Sequence, residues 1–180
     1  MKTKLKGKTE ELTRKRKKAI EIAKDVIAAI KAQSILISKS GYAYAITDGD
    51  KPTDGVDFRD KYYDHSVKDL RKNQGLKCQV CALGGMLVTL VDKHNKVTLR
   101  ELEEHGGELA YEKLKCAFSP TQLALIESVF EGWLDYSSVV QNAKIKAYFN
   151  KYPVASERLT AIMRNIIRNK GQFVLPKRIR

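Results

Sequence analysis

The stretch CQVCALGGMLVTLVD, Cys78 to Asp92, is the longest apolar run in the chain and holds two of its three cysteines. Whatever core the protein builds must close over it. A buried strand and a buried helix look alike in such a run, and length decides between them. From Gln79 to Val91 the run exceeds an average strand, and Cys81, Gly84, Gly85, Val88 and Asp92 recur at the i, i+3, i+4 spacing of one helical face. Gly84 and Gly85 each cost a helix about 1 kcal/mol relative to Ala, and a helix keeps such residues where a neighbour comes close. The expectation is a central helix, contacted on several sides, with the glycine pair at the point of closest packing.

On the N-terminal side, Thr9 with Glu10 and Glu11 reads as a helix start. Leu12, Ala19, Ala23, Val26, Ile27 and Ile30 make one apolar stripe running to about Lys31. In RKRKK, Arg14 to Lys18, basic side chains surround the cylinder, so this part is expected to project into solvent or onto a partner. Ile35 to Ile37 and Tyr42 to Ile46 are β-prone runs separated by Ser38 to Gly41, a small hairpin. Asp48 to Asp57 is a turn-rich loop, and Phe58 to Asn73 reads as a polar helix ending near Gly75.

On the C-terminal side, Thr98 and Glu101 form a capping box opening a short helix that His105, Gly106 and Gly107 end. Ser119-Pro120-Thr121-Gln122 gives an N-cap, an N1 proline and an N3 amide ahead of LALIESVFEGWL. Ser137 to Lys151 continues the helical pattern through Val139, Val140, Ile145 and Phe149. A last helix after Pro153 carries Leu159, Ile162, Met163, Ile166 and Ile167, and Gly171 stops it. The fold class is therefore mainly α: a single-domain helical bundle around a central buried helix, with one small β-hairpin. Residues 1–18 read as a basic N-terminal helical extension, 19–171 as the helical domain and 172–180 as a basic C-terminal tail.

A length of 180 residues suits one domain, and 43% hydrophobic residues place the chain among globular proteins and outside the disordered class. No apolar run is long enough to cross a membrane. The N-terminal MKTKLKGKTE has the charge of a signal-peptide n-region, but no apolar segment follows, which argues against secretion. An odd number of cysteines then fits a reducing compartment, the cytoplasm, better than a disulfide framework.

The net charge of +13 is unevenly placed. Residues 1–18 carry nine basic side chains against Glu10 and Glu11, and Arg164 to Arg180 carry six against none, which leaves 19 basic and 19 acidic residues between Ala19 and Met163. The body is neutral and the ends hold the excess. Arg14, Lys15, Arg16, Lys17, Lys18, Lys170, Lys177, Arg178 and Arg180 are the candidate nucleic-acid-binding residues, suited to phosphate contact rather than base reading.

Other constellations are incomplete. Cys78 and Cys81 have the C-x-x-C spacing that begins many zinc sites. His94 is twelve residues on, but the next histidine is His105, Cys116 stands alone and there is no second C-x-x-C; buried free thiols fit the apolar setting better. Asp92 to Glu103 aligns with an EF-hand loop, with Asp92 in the third and Glu101 in the twelfth position. Leu90 stands where the first aspartate belongs, and Lys93 and Lys96 add positive charge. The carboxylates of Asp48 to Asp57 miss the calcium-loop pattern too. His65, beside Asp64 and near Arg59, Tyr62 and Tyr63, suggests an acid–base cluster, yet neighbours on a helix diverge and no nucleophile motif or phosphate loop accompanies them. No catalytic residue, resident metal or cofactor is assigned, and the sequence leans away from an enzyme.

CQVCALGG at Cys78 to Gly85, with IESVFEGW at Ile126 to Trp133 and RLTAIMRNIIRNKGQF at Arg158 to Phe173, resembles a family of small uncharacterised proteins of bacteriophage and other mobile-element genomes. These are packing motifs and carry no catalytic residues. The resemblance implies a shared helical fold, expression in the host cytoplasm and an accessory role, either contact with nucleic acid or interference with a host protein such as a defence component. Two expectations follow: a nucleic-acid-binding accessory protein working through its basic ends, or a protein-binding module whose neutral helical surface engages a host or sister protein.

Overall fold

The computed structural model describes residues 2–38, 43–46, 63–73, 77–94, 97–133 and 139–175, with the backbone alone at 2–8, 43–46, 73, 92, 94, 103, 139 and 140. In chain order the elements are α1 (Lys2–Lys31), β1 (Ile35–Ile37), β2 (Ala43–Ile46), α2 (Val67–Asn73), β3 (Lys77–Val80), α3 (Ala82–His94), α4 (Leu99–Leu114), α5 (Pro120–Glu131), α6 (Val139–Lys151) and α7 (Ala155–Arg168). The protein is mainly α around a buried central helix, with one small sheet. Among the described residues no helix is long and apolar enough to cross a membrane.

The central run divides in two. Lys77 to Val80 alternates half-buried and buried side chains, the period of a strand, and the helix begins only at Ala82. Both β1 and β2 form where the sequence places them, but they do not pair with each other. β3 lies between them, parallel to β1 (Ile35 opposite Cys78) and antiparallel to β2 (Ala45 opposite Cys78). The two-stranded hairpin expected from residues 35–46 is thus a three-stranded sheet whose middle strand arrives from further along the chain. Backbone groups of Lys77 to Val80 find ladder partners on both sides, which a helix starting at Gln79 would forfeit.

α3 is apolar on every side, and residues 82–91 are all buried. Cys81 closes its N-terminus, the Sγ accepting from the Gly84 N–H at 3.4 Å as a serine hydroxyl would. Thr89, the polar exception, donates its hydroxyl back to the carbonyls of Gly85 and Met86 at 3.1 Å. Around α3 pack α1, α2, α4 and α5.

Local signals set several boundaries as expected. Thr98 and Glu101 make a complete capping box, with Thr98 N donating to the Glu101 carboxylate at 2.8 Å, and Ser119 caps α5 by accepting from Gln122 N at 3.2 Å. Gly132, which the sequence pattern places inside LALIESVFEGWL, ends α5 in the left-handed conformation, φ 78°. Three boundaries differ. α1 begins at Lys2, ahead of Thr9, and runs unbroken through residue 18. α4 kinks at His105 (φ −124°) but continues to Leu114, because Ala110 and Leu114 bury the apolar face beyond the glycines. Of the polar helix expected over Phe58 to Asn73, residues 58–62 lie outside the described residues, 63–66 are not helical, and α2 starts at Val67. Before it, the Tyr63 and His65 carbonyls accept from Arg100 N and Leu99 N at 2.9 and 3.0 Å, satisfying first-turn donors of α4. Asp48 to Asp57 lies outside the described residues.

α1 and α7 pack along each other and run antiparallel: Ile30, near the end of α1, shares a groove with Ser156 to Ala161 at the start of α7, and Arg16 abuts Gly171 just past its end. Beyond Gly171 the chain is not yet a tail. Phe173 is buried, and Gln122 binds both its backbone groups, accepting from Phe173 N at 2.7 Å and donating to Phe173 O at 3.2 Å. Asn165 does the same for Val174 N and O, each at 2.9 Å. Residues 172–175 form a strap across the bundle.

Candidate nucleic-acid interface

The turn after α7 decides where Lys170 comes to lie against α1. Lys170 and Gly171 both have positive φ, 54° and 90°, and Gly171 N donates to Ile166 O at 2.8 Å. This closure lays the chain against α1 at Arg16, so that a Cβ on Gly171 would lie 2.5 Å from the Arg16 carbonyl oxygen. The first basic cluster and Lys170 therefore occupy one end of the α1/α7 pair.

Arg14 and Lys17 are exposed, while Lys15, Arg16 and Lys18 are half-buried. The expectation that Arg14 to Lys18 stand clear of the core is corrected for those three; at Arg16 and Lys15 the cause is that Gly171 and Gln172 lie against this part of α1. Lys15 pairs with Glu11 at 3.0 Å across an exposed turn, a contact worth little in water. The Arg16 Nε is buried without a hydrogen-bond partner among the described residues. Lys15 and Arg16 share a groove of about 460 Å³ with Lys115, the cap of α5 and Gln172. Lys177, Arg178 and Arg180 lie outside the described residues, following Leu175.

A second groove, of about 680 Å³, opens between the ends of α6 and α1 and the outer face of α7. Burying Leu159, Ile162, Met163 and Ile166 turns Glu157, Thr160, Ala161, Arg164 and Arg168 outward at helical spacing along its wall. Arg164 and Arg168 sit one turn apart, about 6 Å along the axis, exposed and with no ion pair among the described residues. α6 contributes Tyr148 and Lys151, and Tyr152 follows it. The rings of Tyr148 and Tyr152 are 5.1 Å apart and tilted by 50°, and Tyr148 rests edge-on against Phe173 at 5.9 Å. Burial pushes the Tyr148 phenol well above its ordinary pKa, against the pull of Arg168, so it stays a neutral hydroxyl.

The corner beneath this groove is fixed by Arg158, a fully buried cation. Its Nη1 donates to Tyr152 O at 2.6 Å and Pro153 O at 3.3 Å, closing the C-terminus of α6. Its guanidinium lies 4.0 Å from the Phe149 ring centroid and 5.4 Å from that of Phe130. Nε and Nη2 have no hydrogen-bond partner among the described residues. Burial pulls its pKa down, opposed by the Glu131 carboxylate. The position of Tyr152 thus depends on a side chain held inside the core.

The other sequence candidates are spread over the fold. Cys78 is on β3 and Cys81 follows it, both buried and reduced; burial pushes the Cys81 thiol up to about 11, which suits a protonated packing residue. The Glu101 carboxylate is engaged by its own N-cap, which lowers its pKa, and the Asp92 side chain is not among those described. Among the described residues no three His, Cys, Asp or Glu side chains gather into a metal site. Asp64 pairs with Arg100 at 3.1 Å, and Tyr63 donates to Glu104 at 2.8 Å while Arg100 covers its ring. These contacts tie the segment to α4 on the surface. Arg59 and Tyr62 lie outside the described residues. Comparison of the chain with protein-family models, curated proteins and solved structures finds no match, so the site rests on its own geometry.

Sequence reasoning counted Arg164 and Arg168 in the charge of the C-terminal end without selecting them, and passed over Lys115, Lys151, Tyr148 and Tyr152. The i, i+4 spacing of the two arginines opposite Leu159 and Ile166 was a readable signal. Nothing local placed the tyrosines beside them.

Proposed function

We propose that the protein binds nucleic acid by phosphate contact, as an accessory protein of the host cytoplasm of the kind its phage and mobile-element resemblance implies. One observation carries the reading: Arg14 to Lys18, toward one end of the chain, and Lys170, toward the other, are brought together at the Arg16–Gly171 contact. Arg14 to Lys18 and Lys170 supply positive charge around this contact, and Arg164 and Arg168 add to it on α7, in the second groove. Cations clustered on a chain whose body is otherwise neutral attract a polyanion and release its counterions. Side chains of this kind position a backbone and read no sequence.

The test is binding to labelled duplex DNA and RNA across a salt series. With about six phosphates neutralised, the logarithm of affinity falls with the logarithm of salt at a slope near −5 for duplex DNA. Neutral replacements at Arg14 to Lys18 weaken binding to all sequences alike and flatten that slope. Absence of binding at ~50 mM salt, where electrostatic affinity is strongest, sinks the proposal. The protein-binding alternative then takes first place, with Trp133, 59% exposed, as the surface aromatic to examine.

A further inference from the structure

We infer that the groove between α6 and α7 takes an unpaired base of a nucleic-acid strand, with Tyr152 as its stacking surface and Arg164 and Arg168 on the flanking phosphates. The inference rests on the nucleic-acid reading above and adds what kind of strand is preferred. Three features carry it. The groove, about 680 Å³, is within the size range of small-ligand sites and holds a nucleotide with room to spare. Its aromatic ring is buttressed: Tyr152 leans on Tyr148, Tyr148 on Phe173, and the Tyr152 carbonyl is fixed by buried Arg158. A ring held from behind and below keeps its place when a base arrives.

The third feature is the pairing of that ring with cations. Lys151 Nζ stands 6.0 Å from the Tyr152 ring centroid, and Arg164 and Arg168 line the same wall. Aromatic faces interleaved with cations along a groove are how proteins hold single strands, because every base has a stacking face and every linkage a charge. Glu157, in the same wall, supplies an acceptor for a base amino group. A base inside a duplex has both faces covered, so only an unpaired base can use the tyrosine. Duplex binding then depends on the basic end of α1/α7 alone.

The experiment compares a short labelled single strand with the duplex of the same sequence, by anisotropy, on the full chain. The wild type is expected to favour the single strand. Tyr152→Leu should lower single-strand affinity about fivefold or more and leave duplex affinity unchanged, while Tyr152→Phe retains both. Equal binding of the two forms by the wild type, or equal effects of Tyr152→Leu on both, overturns the inference while leaving the phosphate-binding reading intact. Loss of all binding by the wild type removes both. Because a leucine at 152 can disturb the corner, ultraviolet cross-linking of a bromouridine-containing strand to the wild type gives an independent readout. Cross-links in the peptide spanning Tyr148 to Arg164 are the expected result, and cross-links confined to α1 and residues beyond Leu175 overturn it.

Discussion

Replacing Gly171 with alanine tests the joint on which the interface depends. The residue sits at φ 90°, and the new Cβ would lie 2.5 Å from the Arg16 carbonyl oxygen, 2.8 Å from its Cα and 3.0 Å from its carbonyl carbon. These are backbone atoms of a continuous helix, so no rotamer change relieves the contact. The left-handed conformation alone costs a residue with a Cβ about 1 to 2 kcal/mol, and overpacking of this kind adds about 1 to 3 kcal/mol. The expected loss is about 2 to 5 kcal/mol, or a fall in Tm of roughly 4 to 20 °C for a chain of this size. Thermal and urea unfolding of Gly171→Ala and Gly171→Asn measure it together. Asparagine tolerates the left-handed region but carries the same Cβ, so both variants should lose stability if the contact dominates. A Gly171→Ala protein with a Tm within ~2 °C of the wild type would refute the close approach, and with it the placing of Lys170 beside Arg14 to Lys18.

Two further predictions concern stability. Gly85→Ala should be neutral or stabilising by up to about 1 kcal/mol in urea unfolding, because the added Cβ meets Val80, Leu159 and Ile35 side chains at 3.5 to 3.7 Å, ordinary contact distances; a loss above ~1 kcal/mol would show this face of α3 to be fully packed. Thr98→Ala removes the hydroxyl that accepts from Glu101 N, one half of the capping box of α4, and should cost about 0.5 to 2 kcal/mol at neutral pH. The Glu101 pKa is lowered mainly by its bond to the Thr98 N–H, so the carboxylate's contribution is complete above the ordinary carboxylate range and is lost as pH falls through the depressed folded value. The gap between wild type and Glu101→Ala should therefore narrow in acid, and a gap that widens there contradicts the account.

What the sequence determined by itself is the part of the structure made by neighbours along the chain. The caps at Ser119 and Thr98, the glycine end at Gly171, and the apolar face of α7 follow from bonds and periodicities spanning a few residues, and these exist whatever the rest of the molecule does. The mainly α class with a buried run at its centre followed from the same signals. Tertiary structure alone decided what depends on partners far along the chain. Lys77 to Val80 become a strand because β1 and β2 supply ladder partners on both sides, although the alternation of Cys78 and Val80 was there to read. α4 passes its glycines because Ala110 and Leu114 have a core to enter. The charge at the two ends was legible as a count. That Lys170 lies beside Arg14 to Lys18 was not, since this requires α1 and α7 to pack antiparallel and Gly171 to accept Arg16 where no side chain fits. The tyrosine groove belongs with it: the break at Pro153 was readable, but that Tyr148 and Tyr152 line one groove with Arg164 and Arg168, its corner held by buried Arg158, depends on how the helices pack.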